Sequence, residues 1–168
     1  MKYIFTLLFC TTVFHFRALA QNDSNAVKAI IAKLGVFQDN DQVDSIWFYE
    51  NKSMEISKKI NYEPGIAHAL TSFGVIYRIR GEYPKALENF LKALAIYEKR
   101  NDQRAILVQY SGLAAVYYFQ ADFKKSENYY LKAIELSRKL GIKEVESNNL
   151  CNLAGLYNDR EQYREAEK

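Results

Sequence analysis

Cysteine, proline, glycine and histidine are all scarce in this chain of 168 residues, which holds 2 Cys, 2 Pro, 7 Gly and 2 His. Two cysteines cannot build a disulfide-dense scaffold. So few glycines and prolines leave little to punctuate the short strands of an all-β sandwich, and the apolar stretches between them are long. The expectation is an all-α fold. Two histidines give no cluster for a metal site, and G-x-S-x-G, H-E-x-x-H and G-x-x-x-x-G-K-[ST] are all missing. No triad, zinc site or nucleotide loop can be assembled from recognisable parts, so the chain is not expected to be an enzyme or to carry a cofactor. Asp39, Asp41, Asp44 and Glu50 echo a calcium loop by spacing, but Val43 and Asp44 stand where a ligand and the turn glycine belong. A solvated acidic turn is expected there, with no metal. What the chain does have is 49% hydrophobic and 14% aromatic residues, which excludes disorder for most of it.

The first twenty residues differ from the rest. Met1-Lys2 is a short positive segment, Tyr3 to Phe16 is a largely apolar run, and Ala18-Leu19-Ala20 is an A-x-A site before Gln21. This pattern predicts a secretory signal peptide over residues 1–20. The run is shorter than the roughly 20 residues that cross a bilayer as a helix, so a membrane role is expected only for a longer chain or an uncleaved signal. Cleavage after Ala20 predicts an exported protein, periplasmic or secreted. It removes Lys2 and Arg17, so 23 bases against 20 acids become 21 against 20. No basic footprint for nucleic acid remains. Cys10 leaves too, which strands Cys151 and excludes an intrachain disulfide.

An internal period organises the remainder. A shift of 40 residues brings Tyr77 onto Tyr117 and Tyr157, Phe73 onto Leu113 and Leu153, Gly74 onto Ala114 and Ala154, and Tyr83 onto Phe123 and Tyr163. It also brings Ala86 onto Ser126 and Ala166, Phe90 onto Tyr130, and Ala93 onto Ala133. Within each unit the apolar residues recur at three and four, the spacing of two amphipathic helices. Gly81 is placed to end the first helix and Pro84 to sit in the first turn of the second.

Leu70-x-x-Phe73-Gly74-x-x-Tyr77, Gly81-x-Tyr83 and Ala86-x-x-x-Phe90-x-x-Ala93 together resemble the tetratricopeptide repeat signature. The second unit matches less closely, through Tyr110, Leu113-Ala114, Tyr117, Phe123, Ser126, Tyr130 and Ala133. The third starts with Leu150, Leu153-Ala154, Tyr157, Tyr163 and Ala166. Asn25 to Asn61 looks like a degenerate leading unit, with Ile46, Glu50, Ser53 and Met54 one period before Ala86, Phe90, Ala93 and Leu94. The resemblance implies a right-handed helix-turn-helix repeat solenoid. Its units are a leading repeat over 21–65, full repeats over 66–105 and 106–145, and a truncated repeat over 146–168. Two departures stand out: the period is 40 instead of 34, with the extra residues placed in links at Arg100–Ala105 and Leu140–Val145, and Glu98 replaces the terminal proline.

In this family the first helices line a concave face that binds peptides or partner proteins. The corresponding positions are His68, Thr71, Val75 and Arg78, then Val108, Ser111, Ala115 and Tyr118, then Asn148, Cys151, Gly155 and Asn158. The candidate partner-binding residues are therefore His68, Thr71, Arg78, Ser111, Tyr118, Asn148 and Asn158. The Lys/Asn carboxylate clamp of chaperone-binding members is missing, its positions being held by Thr71, Val75, Ser111, Ala115, Cys151 and Gly155. A solvated arginine is the plain account of Arg78, although with His68 it offers donors to a carboxylate. Tyr77, Tyr83, Phe90, Tyr117, Tyr130 and Tyr157 are expected in the core, with Tyr118, Phe119 and Tyr129 outward. Cys151 is expected half-buried. The function expected is an exported protein–protein interaction scaffold. The alternative is the N-terminal input segment of a longer receptor of histidine kinase or transcriptional regulator type. Tyr163 to Lys168 is expected to start the second helix of the third unit and stop. The uncapped face of Leu150, Leu153 and Tyr157 then calls for missing chain or self-association.

Overall fold

A computed structural model describes residue 21, residues 23–32 and residues 43–166, with side chains as far as Glu161. The signal peptide expected over 1–20, with Asp39 and Asp41, lies outside the described residues. So do the side chains of Tyr163 and Ala166. Every element described is a helix: α1 over 23–32, α2 Val43–Lys59, α3 Glu63–Ile79, α4 Tyr83–Lys99, α5 Gln103–Phe119, α6 Phe123–Leu140 and α7 Lys143–Ala166. The architecture is an all-α helical repeat solenoid. None of the described helices is long and apolar enough to cross a membrane.

From α2 onward, helices begin every 20 residues, at 43, 63, 83, 103, 123 and 143. The turn chemistry explains the regularity. Asn61, Gly81, Asn101, Ala121 and Gly141 all have φ between 53° and 74°, the left-handed conformation that ends a helix. Each is flanked by the same pair of bonds. The Gly81 N–H donates to the Arg78 carbonyl at 3.1 Å and the Glu82 N–H to the Tyr77 carbonyl at 2.8 Å, and the arrangement repeats at Ala121 and Asp122. This is the Schellman closure, which satisfies carbonyls the helix end would leave bare. The next helix starts at once. Asp102 and Asp122 accept from the Ala105 and Lys125 amides at 3.1 and 3.2 Å, and Pro84 opens α4 without needing its missing N–H.

These bounds correct the placement of the extra residues. The connection from α4 to α5 is only Arg100–Asp102, as short as Arg80–Glu82 and Gln120–Asp122, and α6 to α7 takes just Gly141 and Ile142. The surplus over 34 therefore sits in 17-residue helices rather than in long links. A second correction falls at the end. Residue 161, one period after Gly81 and Ala121, is Glu inside an unbroken α7 of 24 residues. The residues there, Arg160-Glu161-Gln162-Tyr163-Arg164-Glu165-Ala166, are mostly strong helix formers with no glycine or asparagine to turn the chain. No second helix of a third unit starts at Tyr163.

The chain divides into two compact units, Met1–Ala69 and Leu70–Lys168. In the first, Val27 of α1, Ser53, Met54 and Ser57 of α2, and Gly65, Ala67 and Ala69 at the start of α3 are buried. Gly65 is required by close approach, since a Cβ there would lie 2.9 Å from both Tyr62 Cδ1 and Val27 Cγ1. Glu50 is fully buried instead of lying in a solvated turn, with the His68 Nδ1 3.0 Å from its Oε1.

In the second unit α4 packs on α5, α5 on α6, and α6 on α7. Phe90 and Tyr130 are the most deeply buried aromatics, 1% and 3% exposed, beside Ala86, Ala93, Leu113, Ala114 and Val116. Ser126, in the place of Ala86, is also fully buried and donates to the Ala114 carbonyl at 2.8 Å. A polar residue is tolerated there because a neighbouring helix supplies its acceptor. Ala114, Tyr130, Ile134, Leu153 and Leu156 form the cluster joining α5, α6 and α7.

Candidate partner-binding groove

The second unit contains a groove of about 450 Å³ floored by Phe90 and Tyr130 and walled by residues of α3, α5 and α7. α3 contributes Val75 and Arg78; α5 contributes Val108, Ser111, Gly112, Ala115, Tyr118 and Phe119; α7 contributes Asn152. The helical repeat of three and four puts these α5 residues on one face, while Ile106, Leu107, Gln109, Leu113, Ala114 and Val116 are buried. Gly112 is what lets the floor come close. A Cβ there would meet the Phe90 ring at 2.7 Å, and one on Gly74 would meet it at 2.9 Å from the other side. The ring of α4 is thus wedged between α3 and α5.

Of the candidate binding residues, Arg78, Ser111 and Tyr118 come together in this groove. The other four do not. Thr71 donates to the Gln109 Oε1 at 3.2 Å, and Gln109, 1% exposed, donates onward to the Ala105 carbonyl at 3.1 Å. It ties α3 to α5. His68 lies in the first unit beside Glu50. Asn148 and Asn158 are exposed on α7, outside the groove lining.

Inside the groove the polar groups differ in how far they are engaged. The Ser111 hydroxyl donates back to the Leu107 carbonyl at 3.2 Å, and the Tyr118 hydroxyl donates to Asp159 on α7. Arg78 is half-buried, its guanidinium 5.9 Å from the Phe119 ring centre, a cation–π contact. Tyr83 stacks on the other aromatic partner of this edge, its ring 6.0 Å from Phe119 and nearly parallel. Val108 and Phe119 are 52% and 51% exposed, unusually open for large apolar side chains. Burial raises the Tyr130 hydroxyl above the ordinary tyrosine range, opposed in smaller part by the nearby Arg78 charge.

Several sequence expectations change here. Tyr157 is exposed, not core, and donates to Glu127 Oε1 at 2.6 Å. Cys151 and Leu150 are exposed as well. The reason is local: in α5 the equivalent Tyr117 is covered by Tyr129 at 5.7 Å and by Lys125 at 5.1 Å from a helix that folds back. After Arg160 the chain instead continues as helix. Tyr129 is half-buried in that stack rather than outward. Asn152 and Gly112 were missed as groove residues because they sit one position beyond the four-residue face taken from each first helix.

Two family models, each described as tetratricopeptide repeat, match residues 66–102 and 105–168. No curated protein matches the chain. Helix pairs at a fixed interval, a small-and-aromatic core repeated from α4 to α6, and these two matches together place the chain among the tetratricopeptide repeat proteins, helical scaffolds for protein–protein interaction.

Proposed function

We propose that this chain is an exported scaffold whose second unit holds a peptide segment of a partner protein in the groove between α3, α5 and α7. The observation that carries this reading is the groove itself. Exposed Val108 and Phe119 stand beside a half-buried arginine over a floor of Phe90 and Tyr130. An apolar patch with few polar groups is the pattern of an anchoring pocket for a partner side chain. Export is supported by the Met1–Ala20 pattern alone.

Affinity capture from an exported fraction, with residues 21–168 as bait, tests the binding reading. A specific protein should be retained by the wild type and lost with Val108→Asp, which places a charge on the groove wall while leaving the buried face of α5 intact. Equal capture by both would move binding elsewhere. Mass spectrometry of the chain recovered from the exported fraction tests processing, the expected N-terminus being Gln21.

A further inference from the structure

The groove contains three hydrogen-bond donors that the described residues leave without an acceptor. Arg78 has no ion pair and no side-chain hydrogen bond among the described residues; its guanidinium lies over the Phe119 ring and its charge acts on Tyr130. Tyr130 is 97% buried (3% exposed), yet its ring lines the groove floor and its hydroxyl bonds to no described residue. Asn152 adds an amide from α7. The Asp159 carboxylate of α7 accepts from the Tyr118 hydroxyl. A half-buried guanidinium beside the hydroxyl of a largely buried tyrosine has lost part of its water and gains from an acceptor entering the groove.

Resting on the binding reading above, we infer that the groove accepts an aspartate or glutamate side chain of the partner peptide, with Arg78, Tyr130 and Asn152 donating to its carboxylate. All three groups can donate, and Arg78 only donates, which selects an acceptor. The charge of Arg78 and the planar fork of its guanidinium select a carboxylate among acceptors. A side chain fits better than a chain terminus. Tyr130 lies at the floor, so a carboxylate on a methylene stem reaches it while the peptide backbone stays level with Val108 and Phe119 at the rim. Those two residues then cover an apolar neighbour in the same peptide. The charge-assisted bonds supply selectivity, and the apolar walls exclude the competing water.

Selection from a random nine-residue peptide library, displayed with both ends blocked on a carrier, tests this with the full chain as bait. Wild type should enrich Asp or Glu at one position beside a large apolar residue. The best peptide, synthesised with blocked ends, should lose about tenfold in affinity when its acid is changed to the amide. Selection on Arg78→Gln should lose the acidic preference and keep the apolar one. Tyr130→Phe should weaken the preference without unfolding, since Phe90 fills the same repeat position in α4, and circular dichroism checks that both variants fold. Peptides without an acidic preference, or a preference unchanged in Arg78→Gln, overturn the inference while the groove remains a binding site. No peptide enriched above the carrier overturns the groove reading, and this inference with it.

Discussion

Where α4 buries Phe90 and α6 buries Tyr130, α2 buries Glu50, with no exposed surface and the His68 Nδ1 at 3.0 Å. A carboxylate withdrawn from water is held only where neighbours supply donors, and removing a donor costs more than replacing the whole arrangement with hydrocarbon. His68 keeps 36% of its side chain exposed, so part of its loss is made good by solvent. His68→Ala should therefore destabilise the first unit by about 1–2 kcal/mol, less than the ~3–5 kcal/mol of a fully buried pair. Glu50→Leu should stay within about 1 kcal/mol of wild type, because an apolar residue suits the position. Urea unfolding followed by the fluorescence of Trp47, the one tryptophan, reads both. An unchanged midpoint in His68→Ala would show that the imidazole contributes nothing. The spacing placed Glu50 in register with Phe90, but its burial was illegible because acidic composition nearby argued for a solvated turn. One group facing it, the His68 imidazole, is eighteen positions away, on another helix. The same limit hid Thr71, whose acceptor Gln109 lies on α5.

The turns decide how the elements fold back, and they were legible only in part. Gly81 was readable as a helix end because glycine adopts positive φ without strain. Ala121 was not, since alanine gives no such signal, yet it takes φ 57° in the same closure. Packing of α5 on α6 imposes that conformation against local preference. Ala121→Gly should accordingly raise stability by about 0.5–1 kcal/mol, the strain removed being partly offset by greater freedom in the unfolded chain. A rise in Tm with unchanged helicity would bear this out, and a fall would mean the alanine is unstrained. The next residue starts α6. Lys125, through a side-chain hydrogen bond, holds the Asp122 carboxyl below the usual range, aided by the backbone bond of the N-cap. A carboxyl whose folded pKa is lowered stabilises the fold above its unfolded value of about 3.9. That contribution is lost as pH falls through the lower folded value. Asp122→Ala should cost about 1 kcal/mol at neutral pH and should flatten the acid side of a Tm–pH curve. An unchanged acid limb would assign the acid sensitivity to other carboxylates.

At the scale of the second unit, the period of 40 was legible because one packing solution recurs, and the pattern of burial from Leu70 to Lys99 returns almost unchanged from Tyr110 to Lys139. What the period could not show is that α7 attaches differently. Its apolar hold is Leu153 and Leu156, at 7% and 0% exposure, and the rest is polar. Glu127 of α6 accepts from Tyr157 at 2.6 Å and pairs with Arg160 at 3.1 Å, while Asp159 accepts from Tyr118 of α5. Surface ion pairs of this kind add little stability each, so the two leucines carry most of the attachment. In a helical array each element contacts chiefly its neighbours and stability is close to a sum over adjacent interfaces. Leu156→Ala opens a cavity costing about 2–4 kcal/mol at the α6–α7 interface, and nearest-neighbour packing predicts where that loss appears. Hydrogen exchange followed by mass spectrometry should show α7 amides exchanging at least ten times faster, with α4 and α5 close to wild-type protection. Because α7 supplies Asn152 to the groove, the variant should also bind a selected peptide more weakly while α3 and α5 still present Arg78 and Val108. Uniform loss of protection from α4 to α7 would instead mean that the unit unfolds as one cooperative block.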